Sequence, residues 1–472
     1  MPTLRPILSA LRSIALISFT VGTTFLSASA FAEDVTASNP NPAKNVILII
    51  GDGMDDHQIT IARNYLKGAT GRLTLDDMPV RSSVAILTVS EQAPDEYIYV
   101  ADSACSGTSM STGQATSRAR IATTAKSDID IETIVEMAHK SGFKTGIVST
   151  SSVTDATPAV FASHIQYRFC ENPEKMVTER FSCPQDLKAN GGPGSISEQL
   201  AVSNVDVIFG GGMENFTPTV EGGSTSVLDS AIANGFKILK TKQDLKDVNT
   251  EGKVLGLFAE KHLATKLRGE DGRIAEKPEP SLLNSVHWSL GEVDLPEPMT
   301  CETNPEAADT PSLLSMSSKA IELLSTDNDK GFFLMIESAS IDKQSHARNP
   351  CGSIGELDQL DETVAYALKF ADQHPGTLIL VTADHAQAAQ LVPESSMFSG
   401  LDIPVYSPGS MVRIITPEGG LMGVNYATND FFAEEHTGAA VPLYANDVAI
   451  GKIDTYIFQT DIFDIAKQHL GL

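Results

Sequence analysis

Acidic and histidine side chains follow four apolar, β-branched runs of the sequence, which span 45–50, 144–149, 331–336 and 377–382. The polar side chains after these runs are Asp52, Asp155, Thr157, Glu337, Asp342, Asp384 and His385. One such residue would be an ordinary turn aspartate. If the runs are parallel strands, however, their carboxyl ends meet at one edge of a sheet, where ligands bind in open α/β folds. Four strand ends of this kind predict a metal site.

Two local spacings favour zinc at that edge. Asp342 and His346 are at positions i and i+4, so on a helix they share one face and can bind one ion. Asp384 and His385 are adjacent at a strand end and offer an oxygen and a nitrogen ligand together. A mixture of oxygen and nitrogen ligands suits zinc.

A third set of ligands favours magnesium. Asp155, Thr157 and Glu337 offer only hard oxygen donors. Pro158 holds Thr157 in an extended conformation, and Asp155 then points to the same side. Pro158 also suits the first position of a helix, so the alternative is that Thr157 is only an N-cap.

A candidate nucleophile, Ser103, stands between Asp102 and a run of small residues that continues to Gly113. A serine that opens a helix lies at the positive end of the helix dipole, where free backbone N–H groups can hold a phosphate. The alternative is an ordinary serine or aspartate N-cap on a tightly packed helix.

Three of the ten histidines, His346, His385 and His436, have a sequence context that favours metal binding, although the spacing around His436 is weak evidence by itself. His164 is predicted to lie in a helix after Pro158. The remaining histidines are interpreted as surface or core residues; they are His57, His139, His262, His287, His374 and His469.

The formal net charge of −26 limits the partners of the chain. A strongly negative surface repels nucleic acid and anionic lipid at long range, so no specific nucleic acid partner is expected. The same field repels anionic substrates, and a phosphate site must therefore be made locally positive by metals and an arginine.

The first 32 residues resemble a secretory signal. Arg5 and Arg12 give a positive start, 13–26 is apolar but short for a membrane span, and 30–32 (AFA) is a cleavage motif. An uncleaved membrane anchor is the alternative. No later stretch is apolar enough to cross a bilayer, so we expect no stable membrane association after cleavage.

The five cysteines allow disulfides if the chain is exported. Several arrangements of two bridges and one free thiol are possible. The short loop between Cys170 and Cys183 favours that pair, which leaves Cys301–Cys351 as the second pair and Cys105 as the free thiol. The alternative is that all five are reduced.

Helical patterns at 131–141, 312–325 and 357–373 precede the last three strands. This alternation predicts an α/β fold with a central, largely parallel sheet and helices on both faces. Residues 33–472 are predicted to form a single domain. Two polar stretches, about 211–311 and about 393–426, are interpreted as elaborations on its core.

Six motifs, in this order, resemble those of the alkaline phosphatase family, and the resemblance extends from about Lys44 to the end of the chain. The motifs are 45–54 (NVILIIGDGM), 102–104 (DSA), 155–158 (DATP), 337–344 (ESASIDKQ) with His346, 382–385 (TADH) and 435–438 (EHTG). The context of Cys351 and both proposed disulfides resemble the bacterial branch of the family.

The resemblance implies two zinc ions and one magnesium ion. It implies that the first zinc is bound by Asp342, His346 and His436. It implies that the second zinc, which also contacts Ser103, is bound by Asp52, Asp384 and His385. It implies that magnesium shares Asp52 and is also bound by Asp155, Thr157 and Glu337.

The resemblance further implies that Ser103 is the nucleophile, that Arg168 binds two phosphoryl oxygens, that Asp102 orients Arg168 and that Lys343 reaches the phosphate through water. The expected activity is hydrolysis of many phosphate monoesters by a homodimer. The expected location is the periplasm, or the exterior if the source has one membrane. The alternatives are a phosphodiesterase, a sulfatase or a non-catalytic binding protein.

Two residues depart from the family pattern. Gln387 stands where the bacterial branch often has a histidine near the metals, and Ser345 stands where an acidic residue is common. Changes next to metal ligands alter metal affinity by about 10- to 100-fold. The identity of the ligands is therefore better supported than the strength with which they bind.

Overall fold

Nineteen strands and twelve α-helices occur in the residues that the computed structural model describes, which are 43–249, 252–287, 290–395, 397 and 407–472. The strands are β1 (Asn45–Gly51), β2 (Val80–Ala85), β3 (Thr88–Val89), β4 (Tyr97–Ile98), β5 (Lys144–Ser152), β6 (Val207–Gly211), β7 (Phe236–Leu239), β8 (Lys253–Leu257), β9 (Leu267–Gly269), β10 (Glu279–Pro280), β11 (Val293–Asp294), β12 (Cys301–Thr303), β13 (Phe332–Ser338), β14 (Thr377–Ala383), β15 (Gln390–Leu391), β16 (Ser410–Ile415), β17 (Leu421–Tyr426), β18 (Val441–Ala445) and β19 (Tyr456–Phe458). The helices are α1 (Asp56–Lys67), α2 (Ser103–Thr112), α3 (Ile134–Lys140), α4 (Ala156–Ala159), α5 (Ile196–Val202), α6 (Val227–Ala233), α7 (Lys242–Asp247), α8 (Leu282–Val286), α9 (Leu313–Ser325), α10 (Ser340–His346), α11 (Pro350–Gln373) and α12 (Asp461–Leu470).

A ten-stranded sheet has the order β19-β2-β18-β14-β1-β13-β5-β6-β8-β7. The four strands predicted from apolar runs, β14, β1, β13 and β5, are consecutive neighbours in it, and all are parallel. Every residue of β1, β13 and β14 is buried. Because strands covered by helices on both faces need apolar side chains on both sides, they are continuous apolar runs rather than alternating ones. The predicted α/β class is confirmed.

The interpretation of 211–311 as an elaboration was wrong for its first half. Residues Phe236–Leu239 and Lys253–Leu257 are strands β7 and β8, which extend the central sheet in parallel beyond β6. Both strands are short, and Gly256 interrupts the apolar signal of β8. The later part of the segment forms two small antiparallel pairs, β9 with β12 and β10 with β11.

The second polar stretch, 393–426, contains the antiparallel strands β16 and β17, and β17 also pairs with β15. Residues 396 and 398–406 of this stretch, like residues 1–42 with the predicted signal, lie outside the described residues. Contacts group the described residues between 43 and 472 into one compact unit. Among the described residues, no helix is both long enough and apolar enough to cross a membrane.

Two helix boundaries differ from those predicted. Helix α11 begins at Pro350 rather than at 357, because the Asn349 side chain accepts a hydrogen bond from the Gly352 N–H and caps the helix before its apolar periodicity starts. The helix expected after Pro158 ends at Ala159, so His164 and Arg168 lie in a loop. Its N-cap is Asp155, whose side chain accepts from the next backbone N–H, and not Thr157.

The two disulfides join Cys170 to Cys183 and Cys301 to Cys351, and Cys105 is a buried free thiol. The predicted disulfide pairing is confirmed. The first bridge closes the loop that follows Arg168. The second joins the start of α11 to strand β12 in the segment 211–311.

Candidate active site

The register of the central sheet brings three side chains that could bind a metal close together. Gly51, the last residue of β1, pairs with Ser338 on one side and with Ala383 on the other. Asp52 therefore emerges next to Asp384 and His385. The His385 Nε2 atom lies 3.4 Å from Asp52 Oδ1 and 3.4 Å from Asp384 Oδ2. These three residues form a buried group whose ligand atoms lie within 4.8 Å of one another.

A second group of ligands combines helix α10 with the loop before β18. Asp342 Oδ2 lies 3.3 Å from His346 Nε2, and Asp342 Oδ1 lies 3.4 Å from His436 Nε2. The Nδ1 atom of each histidine hydrogen-bonds a backbone carbonyl, that of Glu434 for His346 and that of Ala101 for His436. Such bonds fix the ring so that Nε2 faces the ligand side, which is the arrangement of metal-binding histidines.

The buried polar atoms of the first group fit a cation. Asp52 Oδ1, Asp384 Oδ2 and His385 Nδ1 are buried without a hydrogen-bond partner among the described residues. Burial, followed by the charges of Asp342 and Asp384, raises the pKa of Asp52 well above its usual value. Burial also lowers the pKa of His385 to about 4, so its imidazole is neutral and able to bind a metal. Carboxylates and a neutral imidazole are a donor set for a cation such as zinc.

The predicted magnesium ligands are placed differently. Burial, with a contribution from the charge of Asp155, raises the pKa of Glu337 to about 7. Glu337 accepts hydrogen bonds from Ser149 and Ser151. Asp155 Oδ2 lies 2.5 Å from Lys343 Nζ. Burial acts to raise the pKa of Asp155, but the charges of Lys343 and Arg168 outweigh it and hold that pKa far below its usual value. Among the described residues, neither Asp155 nor Glu337 belongs to a group of three possible ligands.

Ser103 is the first residue of α2, and its Oγ atom lies 3.2 Å from His385 Nε2. The N-cap is Asp102, which accepts a hydrogen bond from the Cys105 N–H at 3.1 Å. Ser103 is therefore not the cap, and its hydroxyl faces the ligand cluster. All ten residues of α2 are buried, which explains why only small side chains occur there.

Arg168 links Asp102, the residue before Ser103, to Asp155 of the predicted magnesium set. Its backbone N–H donates to Ala119 O at 2.8 Å. Its guanidinium donates to Asp102 Oδ2 at 3.1 Å and to Asp155 Oδ1 at 3.0 Å. A guanidinium that is held by hydrogen bonds to two carboxylates, next to a serine at a helix N-terminus, is suited to bind an oxyanion.

A model of the family described as alkaline phosphatase matches residues 43–411. The chain belongs to the alkaline phosphatase family. It is 38% identical to the alkaline phosphatase of Escherichia coli (strain K12), with 91% of this chain and 87% of that protein covered. It is 35% identical to the streptomycin-6-phosphate phosphatase of Streptomyces griseus, with 92% of each covered. The enzyme is thus a metal-dependent phosphomonoester hydrolase.

A solved structure, the Thermus thermophilus alkaline phosphatase, superposes with a TM-score of 0.65 at 19% identity, and the match covers 92% of each chain. At that identity the comparison supports the fold alone. It agrees with the central sheet described above.

His262, which was interpreted from sequence as a surface or core residue, reaches the site. His262 accepts a hydrogen bond from the Ser152 N–H at 3.1 Å, and its Nδ1 lies 4.0 Å from Asp155 Oδ2. Its sequence context carries no ligand signal, since it lies in a loop after β8. Gln387, a departure from the family pattern, donates to Asp342 Oδ1 at 2.6 Å. Ser345, the other departure, is buried and accepts from Gln58 Nε2 at 2.7 Å.

Proposed function

We propose that this enzyme hydrolyses a broad range of phosphate monoesters through a phosphoserine intermediate at Ser103, on a site of two zinc ions and one magnesium ion. The observation that carries the proposal is the position of the Ser103 hydroxyl, 3.2 Å from His385 Nε2 at the start of α2. A serine at that point adjoins both the ligand cluster and, through Asp102, the guanidinium of Arg168.

We assign the metals to the two groups of carboxylates and histidines described above and to the set of oxygen donors predicted to bind magnesium. The proposed ligands of the first zinc are Asp342, His346 and His436. Those of the second zinc are Asp52, Asp384 and His385. Those of magnesium are Asp52, Asp155, Thr157 and Glu337. When bound, these cations supply positive charge that lowers the pKa of the serine hydroxyl and stabilises the leaving alkoxide.

The reaction transfers the phosphoryl group twice. A bond forms between Ser103 Oγ and phosphorus as the bond to the ester oxygen breaks, and the alcohol leaves with a proton. A water oxygen then bonds to phosphorus as the Oγ–phosphorus bond breaks, which releases inorganic phosphate and returns the proton to Ser103. The water attacks from the side opposite to Oγ, so it occupies the position that the alcohol oxygen has left.

Arg168 and Lys343 hold the phosphoryl group. The planar fork of Arg168 suits two phosphoryl oxygens, and the carboxylates of Asp102 and Asp155 keep the fork in position. Lys343, which lies against Asp155, adds a positive charge that reaches the phosphate through water. Because these contacts are made to the phosphoryl group, many alcohols can serve as leaving groups.

We also infer that the enzyme is exported, acts as residues 33–472 in one domain and forms a homodimer. Two disulfides support export, since such bonds persist in oxidising compartments such as the periplasm or the exterior. The net charge of −26 makes a nucleic acid partner unfavourable.

The test is hydrolysis of a chromogenic phosphate monoester at about pH 9, before and after chelation and after zinc and magnesium are restored together or singly. Activity that disappears on chelation and returns fully only with both metals supports the metal assignment. Ser103→Ala should remove activity, while Ser106→Ala, on the same buried helix, should retain most of it. Preference for a phosphate diester or a sulfate ester over the monoester would contradict the proposal.

A further inference from the structure

Three aromatic side chains lie together beside the guanidinium of Arg168. The ring centroids of Phe169 and Phe181 are 4.6 Å apart, and that of Tyr167 lies 5.1 Å from Phe181 and 5.3 Å from Phe169. The Arg168 Cζ atom is 5.9 Å from the Phe169 ring centroid. We call Tyr167, Phe169 and Phe181 the aromatic platform. It adjoins the group that is proposed to bind the phosphoryl oxygens.

The loop that carries the platform is held in shape by several bonds. The Cys170–Cys183 disulfide closes it, and the Arg168 N–H donates to Ala119 O at its base. At its tip, the Phe181 N–H donates to Thr178 Oγ1 at 3.2 Å, and the Thr178 hydroxyl donates to Phe181 O. Because both ends of the loop and its turn are fixed, little conformational entropy is lost when a ligand binds against its rings.

The platform is accessible from solvent and carries a positive charge at its edge. Phe169 is 45% exposed. The exposed Arg180 places its Cζ atom 5.1 Å from the Phe181 ring centroid, and it makes no ion pair with any residue of the described chain. The platform therefore extends from the solvent to the guanidinium of Arg168, which donates to Asp102, the residue before Ser103.

We propose that the aromatic platform stacks against the planar leaving group of a phosphate monoester, so that the enzyme favours aromatic and nucleoside esters over aliphatic ones. The proposal rests on the proposed function, because it takes Arg168 as the phosphoryl-binding group. A leaving group joined to a phosphoryl group at Arg168 lies beside the Phe169 ring, whose centroid is 5.9 Å from the Arg168 Cζ atom. A flat π-system gains stacking energy there that an aliphatic alcohol does not.

The platform affects only the first of the two chemical steps. The leaving group departs when Ser103 is phosphorylated, so hydrolysis of the phosphoserine is the same for every ester. Stacking should therefore appear in kcat/KM, which covers the steps up to departure of the alcohol, and should leave phosphoserine hydrolysis unchanged.

A matched pair of substrates isolates this contribution. Adenosine 5′-monophosphate and ribose 5-phosphate are both esters of a primary alcohol, but only the first carries an aromatic base. We expect the metal-loaded enzyme to favour the nucleotide in kcat/KM by about 10-fold, the sum of two modest ring contacts. In Phe169→Leu/Phe181→Leu, which keeps apolar volume but removes both rings, the preference should fall to about 2-fold or less. Phe169→Tyr should retain it.

Phenyl phosphate, compared between the wild-type and double-leucine enzymes, distinguishes the two kinds of aromatic ester. A loss for phenyl phosphate as well as for the nucleotide supports stacking on any flat ring, and a loss for the nucleotide alone restricts the platform to nucleoside bases. Tyr456→Ala, an exposed aromatic substitution on β19, serves as the control and should leave every ratio unchanged.

If the ratio of kcat/KM for the nucleotide to that for ribose 5-phosphate is unchanged in the double-leucine variant, and ribose 5-phosphate is still hydrolysed, the stacking proposal is contradicted. The proposed function is then unaffected. A weaker inhibition by inorganic phosphate with an unchanged ratio would also overturn the stacking proposal, because the rings would then act by positioning Arg168. A change in the molecular mass in solution with an unchanged ratio would assign the rings to a subunit contact. Failure to hydrolyse any monoester would instead contradict the proposed function.

Discussion

Two clusters of buried charge in this enzyme are built in opposite ways. In the first, the Arg120 guanidinium, whose side chain is 2% exposed, pairs with Glu91 at 2.6 Å and with Asp128 at 2.6 Å. It also donates to Thr123 Oγ1 at 3.1 Å. The chain itself thus supplies the cation, the anions and the hydrogen bonds. Such a cluster can hold a loop in place, but its charges are already paired with one another and do not require a bound ion.

The second cluster contains three buried carboxylates, Asp52, Asp342 and Asp384, around His385. Two of its carboxylate oxygens have no hydrogen-bond partner in the described chain. Buried carboxylates that repel one another cost free energy unless a cation is bound between them. Charge that is balanced within the chain thus indicates a structural role, whereas charge left unbalanced at a sheet edge indicates a binding site.

The largest effect that would test this difference is expected for His385→Asn. The ligand atom of His385 lies within 4.8 Å of those of Asp52 and Asp384, and also within 4.8 Å of those of Asp342 and His436, so its loss removes a donor from both sets. We expect kcat/KM for a monoester to fall by on the order of 10³-fold and bound zinc, measured by elemental analysis, to fall below that of the wild type. His139→Asn, at an exposed position on α3, is the control. Wild-type zinc content in His385→Asn would show that the orphaned atoms are not ligands.

Arg120→Met tests the structural role of the cluster formed by Arg120, Glu91 and Asp128. Loss of the guanidinium leaves Asp128 buried without a cation, so the free energy of unfolding in urea should fall by about 3 kcal/mol, with zinc content unchanged. The matched control is Arg72→Met, which breaks an exposed pair with Asp77 and should cost less than about 0.5 kcal/mol. Equal losses in the two variants would contradict a structural role for the Arg120 cluster.

Glu356 is an intermediate case, because its hydrogen bonds are satisfied but its charge is not. It accepts from Thr150 at 2.9 Å and from Gln359 at 2.8 Å, both neutral donors. Burial raises the pKa of Glu356 to about 7. The folded state therefore holds a proton that the unfolded state has lost, and the free energy of unfolding should fall as the pH rises from about 4.5 to 7.

Glu356→Gln should remove that loss. We expect the variant to gain about 2 kcal/mol of stability relative to the wild type at pH 8.5 but not at pH 4.5, as measured by urea unfolding at both values. A gain of the same size at both pH values would mean that packing rather than charge is responsible.

Asp52→Asn gives the smallest expected effect on stability. The amide keeps the shape of the side chain and removes one of the three repelling charges. The unfolding free energy of the chelated protein should rise by about 1 kcal/mol, while the stabilisation gained on adding zinc should shrink. If chelated Asp52→Asn is less stable than the chelated wild type, the carboxylate contributes to the fold in the way that Asp128 does.

Local patterns in the sequence predicted the elements with the strongest local signal. Strands β1, β5, β13 and β14 are buried on both faces, so their apolar runs identify them without any knowledge of their neighbours. Strands β7 and β8 have only four and five residues, so each is too short for its apolar pattern to stand out from the polar residues around it. The start of α11 depends on one capping contact at Asn349, which lies outside its apolar periodicity.

Motifs of residues that stand close together in the chain, such as Asp342 with His346, were enough to predict the candidate ligands, the α/β class and the family from the sequence. Which of those motifs meet depends on the tertiary fold. Register between parallel strands places Asp52 beside His385, and loops without periodicity carry His436 and Arg168 to the same edge. Contacts such as Gln387 with Asp342 and His262 with Asp155 join residues whose separation in the chain leaves no local pattern. Their positions follow from the packing of the whole fold.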